Sequence, residues 1–331
     1  MKFVSSILNR RSFVALATVS MLAGMAPATP VFAQEVTIPI IVKDTTSFYW
    51  QIVLAGARKA GKDLGVNVPE LGAQAETDVN GQISILENAV AGNPAAIVIS
   101  PTEAKALGKP IDEAAAKVKI IGIDSSAESK AFTSFLTTDN EQGGRVAADG
   151  LAEAIGAANG GKVEGKVALI TNTPGAGSLE ARRKGFMEQL ASKYPGLELV
   201  ADKYADGQAT TGLNIATDLI TANPDLKGIF ASNLIMAQGV GQAISENGLG
   251  GKVALVGFDS DEKLIKFLND GVISALVVQD PYRMGYDGIK TALAASKGEK
   301  VEAFVDTGAN LVTKANMKDA KIDALLNPKL D

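Results

Sequence analysis

Short β-branched apolar runs alternate with longer stretches of helical periodicity along most of the chain. Residues 38–42, 96–99, 120–123, 167–170, 228–231, 253–258 and 275–278 read as buried strands. Between them, 50–64, 79–90, 141–155, 179–190, 213–220, 236–246 and 261–269 space their apolar residues for amphipathic helices. Such alternation predicts parallel sheets with helices on both faces. At 331 residues the chain is too long for one compact core. Two successive series of similar length therefore predict an α/β chain folded as two similar doubly wound parallel-sheet lobes.

The N-terminus breaks this rhythm. Arg10 and Arg11 precede an apolar, nearly uncharged stretch, Pro27 and Pro30 end it, and Val31-Phe32-Ala33 offers small residues where a signal peptidase cuts. Residues 1–33 are read as a secretory signal cleaved before Gln34, so the mature chain is expected to be exported. The stretch is short for a membrane span, which needs about 20 apolar residues. Arg10-Arg11-Ser12-Phe13 also fits part of a twin-arginine signal, so both the general secretory and the twin-arginine routes stay open.

Charge and composition then remove whole classes of function. The chain carries 37 acidic and 32 basic residues, and three of the basic ones lie in the signal. That acidic balance argues against nucleic acid, which is bound by neutralising phosphates with Lys and Arg. There is no Cys and no His, so thiolate and imidazole metal ligands are excluded, as is the usual general base of nucleophilic hydrolases. The reading is a binding protein, not an enzyme, with no cofactor and no metal.

In doubly wound folds ligands sit beyond the carboxyl ends of the strands. There this chain repeatedly places Asp, Asn, Gln, Ser or Thr. Lys43 and Asp44 follow the first run, Ser100-Pro101-Thr102 and Asp124-Ser125-Ser126 two later ones. In the second half come Asn172-Thr173, Ser232-Asn233, Asp259-Ser260-Asp261 and Gln279-Asp280. Helix capping favours the same residue types at the same places. The recurrence of amides and carboxylates instead fits a ligand rich in hydroxyls, since a carboxylate can accept from two neighbouring hydroxyls. Phe48-Tyr49-Trp50, which hold the only Trp of the chain, are expected between the first strand and its helix. Flat rings there can pack on the C–H face of a sugar ring.

These pieces resemble the periplasmic pentose- and hexose-binding proteins, those for ribose, allose and galactose. The similarity runs from about residue 36 to 314. It rests on Thr37 to Trp50 with Gly56-Ala57, on 96–101, on 121–124, on Thr138-Asp139-Asn140 with Gly143-Gly144, and on Glu180-Ala181-Arg182. Phe230 to Asn233 with Met236-Ala237, Val256 to Asp259, and Val278-Gln279 complete the series in family order. The resemblance implies the type I periplasmic-binding-protein fold, with two lobes joined by a three-stranded hinge. The first lobe would combine 34–138 with 281–306, and the second 139–280 with 307–331. It implies sugar-hydroxyl roles for Asp124, Arg182, Asn233, Asp259 and Gln279, and ring stacking for Tyr49 and Trp50. Lys43 matches a position that is Lys in allose-binding proteins, and Ser47 one that is often Asn.

Three departures bear on specificity, the first being Ser47-Phe48 in place of the Asn-Pro pair common before the aromatics. Ser125 stands where many members carry Arg, and Gly207 stands where several supply an aromatic ring. Ribose is thereby disfavoured, and another pentose, a hexose, a ketose or a sugar alcohol is expected. The resemblance further implies hinge closure on the ligand in the periplasm and delivery to the membrane permease of an ABC importer, and nothing in the sequence demands more than a monomer. A non-sugar polar ligand, such as a quorum signal or a polyol acid, is the alternative. No dinucleotide fingerprint opens the chain: Gly175-Ala176-Gly177 lies mid-chain and lacks its third Gly.

Overall fold

The computed structural model describes residues 36–330; the expected export signal lies outside them. The chain opens with β1 (Ile40–Val42), α1 (Phe48–Leu64), β2 (Glu70–Gly72), α2 (Val79–Ala91), β3 (Ala96–Ile99), α3 (Ala104–Ala115), β4 (Lys119–Ile123) and β5 (Ser134–Thr137). A second series follows: α4 (Asn140–Ala158), β6 (Gly165–Thr171), α5 (Gly177–Lys193), β7 (Leu197–Tyr204), α6 (Ala209–Ala222), β8 (Leu226–Ala231), α7 (Leu234–Glu246), β9 (Ala254–Phe258), α8 (Glu262–Asp270) and β10 (Ala275–Gln279). The remainder is α9 (Pro281–Ser296), β11 (Phe304–Asp306), β12 (Ala309–Val312) and α10 (Ala320–Leu326).

Two six-stranded sheets result, ordered β2-β1-β3-β4-β5-β11 and β7-β6-β8-β9-β10-β12. The orders correspond strand for strand, so the two lobes are similar α/β units. They differ at the last position, where β11 joins β5 in parallel and β12 joins β10 antiparallel. β3, β9 and β10 are buried along their whole length. That is the expected state of parallel strands sandwiched between helices, and it explains their uninterrupted apolar runs.

Several elements lie outside the seven strands and seven helices read from the pattern. β2 and β7 are edge strands; β7, Leu-Glu-Leu-Val-Ala-Asp-Lys-Tyr, is mostly half-buried or exposed and so has no apolar run. α3 carries Pro110 within its length, and α9 starts on Pro281, which suits the first helical turn because it lacks an N–H to satisfy. Phe48, Tyr49 and Trp50 form the first turn of α1 instead of preceding it.

The chain passes between sheets three times. β5 leads through Thr138 and Asp139 into α4, β10 through Asp280 into α9, and β11 through Thr307 and Gly308 into β12. The first and third passages lie side by side. Thr307 N donates to Thr137 O (2.9 Å), Thr138 Oγ1 donates to Gly308 O (3.1 Å), and Asp306 Oδ1 accepts from Asp139 N (3.1 Å) and Gly308 N (2.8 Å). At φ +81° Gly308 holds a left-handed turn that a side chain would strain.

Each helix arriving from the other lobe crosses its new neighbour closely at glycines. A Cβ on Gly285 of α9 would overlap the Val53 carbonyl oxygen of α1, and one on Gly56 would overlap that of Tyr282. In the second lobe Gly144 of α4 meets the Arg182 carbonyl, and Gly185 of α5 meets that of Glu141. Neither backbone partner can yield as a side-chain tip would. Gly285→Ala is expected to destabilise the protein by about 1–3 kcal/mol through overpacking. The effect would appear as a lower urea midpoint at unchanged m-value.

Candidate functional site

The carboxyl ends of both sheets face one another across a buried cavity. Lys43, Ser47, Tyr49, Trp50, Glu76 and Asp124 bound it from the first lobe, and Ser178, Arg182, Asn233, Asp259 and Gln279 from the second, with Leu179, Leu234 and Ile235. About 370 Å³ of space lies between the lining atoms, part of it open to solvent, which is on the scale of one compact ring. Small-molecule pockets run from about 300 to 1,000 Å³.

Asp124 and Asp259 hold equivalent positions, each the first residue after the fourth strand of its sheet. Both have left-handed backbones, φ +57° and +68°. Asp tolerates this conformation better than most residues, and such strain concentrates at functional sites. Each amide N–H is held by the next strand over, Asp124 N donating to Leu136 O (3.0 Å) and Asp259 N to Val277 O (2.8 Å). Neither carboxylate is the N-cap residue of a helix, although Asp259 takes a backbone hydrogen bond from Leu234 at the start of α7; the cap of α8 is Asp261, which accepts from Leu264 N (2.7 Å). Capping explains Asn233 in part, since its Oδ1 accepts from Met236 N at 3.1 Å.

Asp124 gathers the first-lobe groups. Its Oδ1 accepts from Tyr49 OH (2.8 Å), and its Oδ2 accepts from Ser100 Oγ (3.1 Å) and lies 3.3 Å from Lys43 Nζ. Burial, and next the adjacent Asp124 charge, hold the Tyr49 phenol well above its ordinary pKa, so it serves as a donor. The Tyr49 and Trp50 rings meet edge to face with centroids 4.8 Å apart, and Lys43 Nζ lies 5.6 Å from the Trp50 ring centre. Asp44 shapes the turn into α1 by accepting from Thr46 N and Ser47 N, both at 2.7 Å. That turn brings Ser47 to the cavity wall.

Arg182 organises the second lobe. It is 2% exposed, its Nε donates to Asn140 Oδ1 (2.8 Å), and its Nη1 donates to Ser232 O (2.9 Å). The guanidinium lies 3.7 Å from the centre of the Phe258 ring. Burial raises the Asp259 pKa, against the opposing pull of Arg182 and of the bond from Gln279 Nε2 (2.7 Å). Gln279 Oε1 is buried without a protein partner. An unpartnered acceptor at a cavity wall calls for a donor from a ligand.

Nine of the ten sequence-derived site residues thus bound one cavity. Ser125 lies beside it, where its Oγ donates to Ser178 Oγ (3.2 Å) and accepts from Ser178 N (3.1 Å) across the two lobes. Glu76 is an addition. It sits in the loop between β2 and α2, and its Oε1 accepts from Trp50 Nε1 (2.7 Å). Burial raises its pKa, opposed by Lys43 and the Trp50 bond. Nothing in its sequence surroundings marks it: the loop is polar and follows a half-buried three-residue strand. Gln82, fully buried, fastens the strand ends beneath by donating to Val42 O (3.2 Å) and Ser100 O (2.9 Å).

The lobes touch around the cavity. Besides the Ser125–Ser178 bonds, Ala104 N donates to Gly175 O (2.9 Å) and Asn172 Nδ2 to Glu76 Oε2 (3.1 Å). The cleft is closed. Among the described residues no group of His, Cys, Asp or Glu could hold a metal ion, and no helix is long and apolar enough to cross a membrane.

A family model described as a periplasmic binding protein domain matches residues 38–300. The chain is 31% identical over 288 residues to the D-allose-binding periplasmic protein of Escherichia coli, covering 85% of this chain and 90% of that one. Among solved structures, a carbohydrate transporter solute binding protein from Agrobacterium radiobacter in complex with D-arabinose is 80% identical, with a TM-score of 0.88. It covers 89% of this chain and 100% of its own. An ABC transporter solute binding protein from Agrobacterium vitis with bound D-fucose is 36% identical, with a TM-score of 0.83, covering 88% of this chain and 100% of its own.

Proposed function

The chain belongs to the periplasmic binding protein family, whose members bind solutes and are not enzymes, and on that premise we propose that it captures one neutral monosaccharide for import. The observation that carries this reading is the closed polar cavity itself. Carboxylates from both lobes, an unpartnered Gln279 acceptor and two aromatic rings enclose a volume fit for one sugar ring. The two buried cations are matched in number by Asp124 and Asp259, with Lys43 3.3 Å from the first and Arg182 within electrostatic reach of the second. No surplus positive charge waits for an acid, which favours a sugar over a polyol acid.

Asp124, Asp259, Asn233, Gln279, Arg182, Lys43 and Ser47 take the ring hydroxyls in this reading, while Tyr49 and Trp50 cover its C–H face. The solved relative at 80% identity holds D-arabinose, which makes that pentose the first candidate. The three passages between the sheets serve as the hinge, and closure excludes water, strengthening each polar contact inside. Exported to the periplasm by the signal in residues 1–33, the mature chain acts as a monomer and presents its closed form to the permease of an ABC importer.

A thermal-shift panel of pentoses, hexoses, ketoses and alditols tests the assignment. A ligand at a thousandfold excess over its Kd stabilises the folded state by about 4 kcal/mol, enough to raise Tm by several degrees. D-arabinose is expected to give one of the largest shifts. A flat response across the panel ends the sugar reading.

A further inference from the structure

We propose that Glu76 is the clasp of the closed cleft: one carboxylate that ties Trp50 of the first lobe to Asn172 of the second and so sets how long ligand is held. This rests on the sugar-binding reading above for what is held, but the clasp is visible without it. Trp50 Nε1 donates to one carboxylate oxygen at 2.7 Å and Asn172 Nδ2 to the other at 3.1 Å. Asn172 is fully buried immediately after β6, and Trp50 is 1% exposed in the first turn of α1. Neither donor can turn to water while the cleft is closed. Opening the lobes must break the Asn172 bond and leave Glu76 holding Trp50 alone.

Its position adds a second consequence. Glu76 is part of the wall of the sugar cavity and also of a wider chamber beside it, with Ser47, Leu234 and Ile235. Gly207 and Thr77 line that chamber from opposite lobes and approach closely, a Cβ on Gly207 lying 3.3 Å from Thr77 Cγ2. A ligand leaving by this side passes the Glu76 carboxylate, so releasing the clasp and unblocking the passage are one event. Burial favours the protonated acid, Lys43 and the Trp50 bond favour the carboxylate, and the neighbouring Asp44 and Asp124 charges again favour the acid. The group is held against several opposing forces and is not a solvated loop residue.

The test reverses the hydrogen bond. Glu76→Met removes both acceptors, whereas in Glu76→Gln the introduced carbonyl accepts from Trp50 and Asn172 can turn its amide, whose Oδ1 has no other partner, to accept from the introduced NH2. Asn172→Asp sets two carboxylates face to face. In the double variant the introduced amide accepts from Trp50 through its oxygen and donates through its NH2 to the introduced carboxylate, restoring both bonds with the net charge kept. D-arabinose affinity is measured by calorimetry, release by stopped-flow Trp50 fluorescence, and lobe separation by spin labels on cysteines at Lys105 and Lys203 in this Cys-free chain. Glu76→Met and Asn172→Asp are each expected to weaken affinity at least ~10-fold, mainly through faster release. Each also shifts the unliganded protein towards open distances, and the double variant returns to within about threefold of wild type.

Wild-type behaviour of Glu76→Met in all three measurements overturns the clasp, as does a Glu76→Gln/Asn172→Asp double variant no better than Asn172→Asp alone. Should wild type take up no D-arabinose, the assignment of that sugar fails by itself, and the lobe distances alone then decide for or against the clasp.

Discussion

Asp124→Ala is expected to reduce sugar affinity by about two to three orders of magnitude. Its carboxylate accepts from Tyr49 OH and Ser100 Oγ and neutralises Lys43 within the buried cavity. Truncation leaves Lys43, 4% exposed, without its counter-charge, and any ligand hydroxyl that met Asp124 loses its acceptor. Removing one partner of a buried hydrogen-bonded charge pair costs about 2–5 kcal/mol, and each tenfold in affinity is about 1.4 kcal/mol. Lys43→Met added to Asp124→Ala separates the two contributions. Eliminating both charges of a buried pair is often nearly neutral for stability, so the double variant should regain Tm but not binding. Calorimetry that finds Asp124→Ala within threefold of wild type would remove Asp124 from the site.

How much of this is legible in the sequence depends on whether burial and chemistry leave a mark in the local pattern. Strands such as β9 and β10, covered on both faces, announce themselves as apolar runs, and the polar residue that ends each run is already a site candidate. Asp259 and Gln279 are found that way. Arg182 is different. On α5 it sits beside Arg183 and Lys184 and reads as one more solvated cation; only the family register separates it from Arg183, whose partner is Asp202 on the lobe surface. Glu76 carries no mark at all. Its role depends on Asn172, 96 residues away in sequence, and on an edge strand too short to show periodicity. Local pattern reports what one element buries; it does not report which loops meet once two lobes close. The capping alternative is partly right, since Asn233 caps α7 while also bounding the cavity. Only the backbone conformations of Asp124 and Asp259 distinguish them from caps, and φ is not written in a residue's own neighbourhood.

Arg182→Met should have the largest effect on the fold itself, a loss of about 2–5 kcal/mol, the cost of leaving two buried acceptors without their charged donor. Methionine fills much of the same volume over Phe258 but donates nothing. Asn140 Oδ1 and the Ser232 carbonyl lose their donors, and Asp259 loses the cation that opposes its desolvation. The pH dependence identifies the charge contribution. Burial already raises Asp259 above its ordinary value of 3.8 in the native protein, so the native state holds more protons than the unfolded chain there. Stability linked to this group is therefore greatest at low pH and falls as pH rises through the interval between those two values. Without Arg182 the native value moves further up, the interval widens, and the fall continues to higher pH. Urea denaturation should show a larger deficit for Arg182→Met, relative to wild type, at pH 8 than at pH 5. Equal deficits at both would mean that Arg182 supports the lobe through packing and its two hydrogen bonds alone, and that Asp259 answers to burial without it.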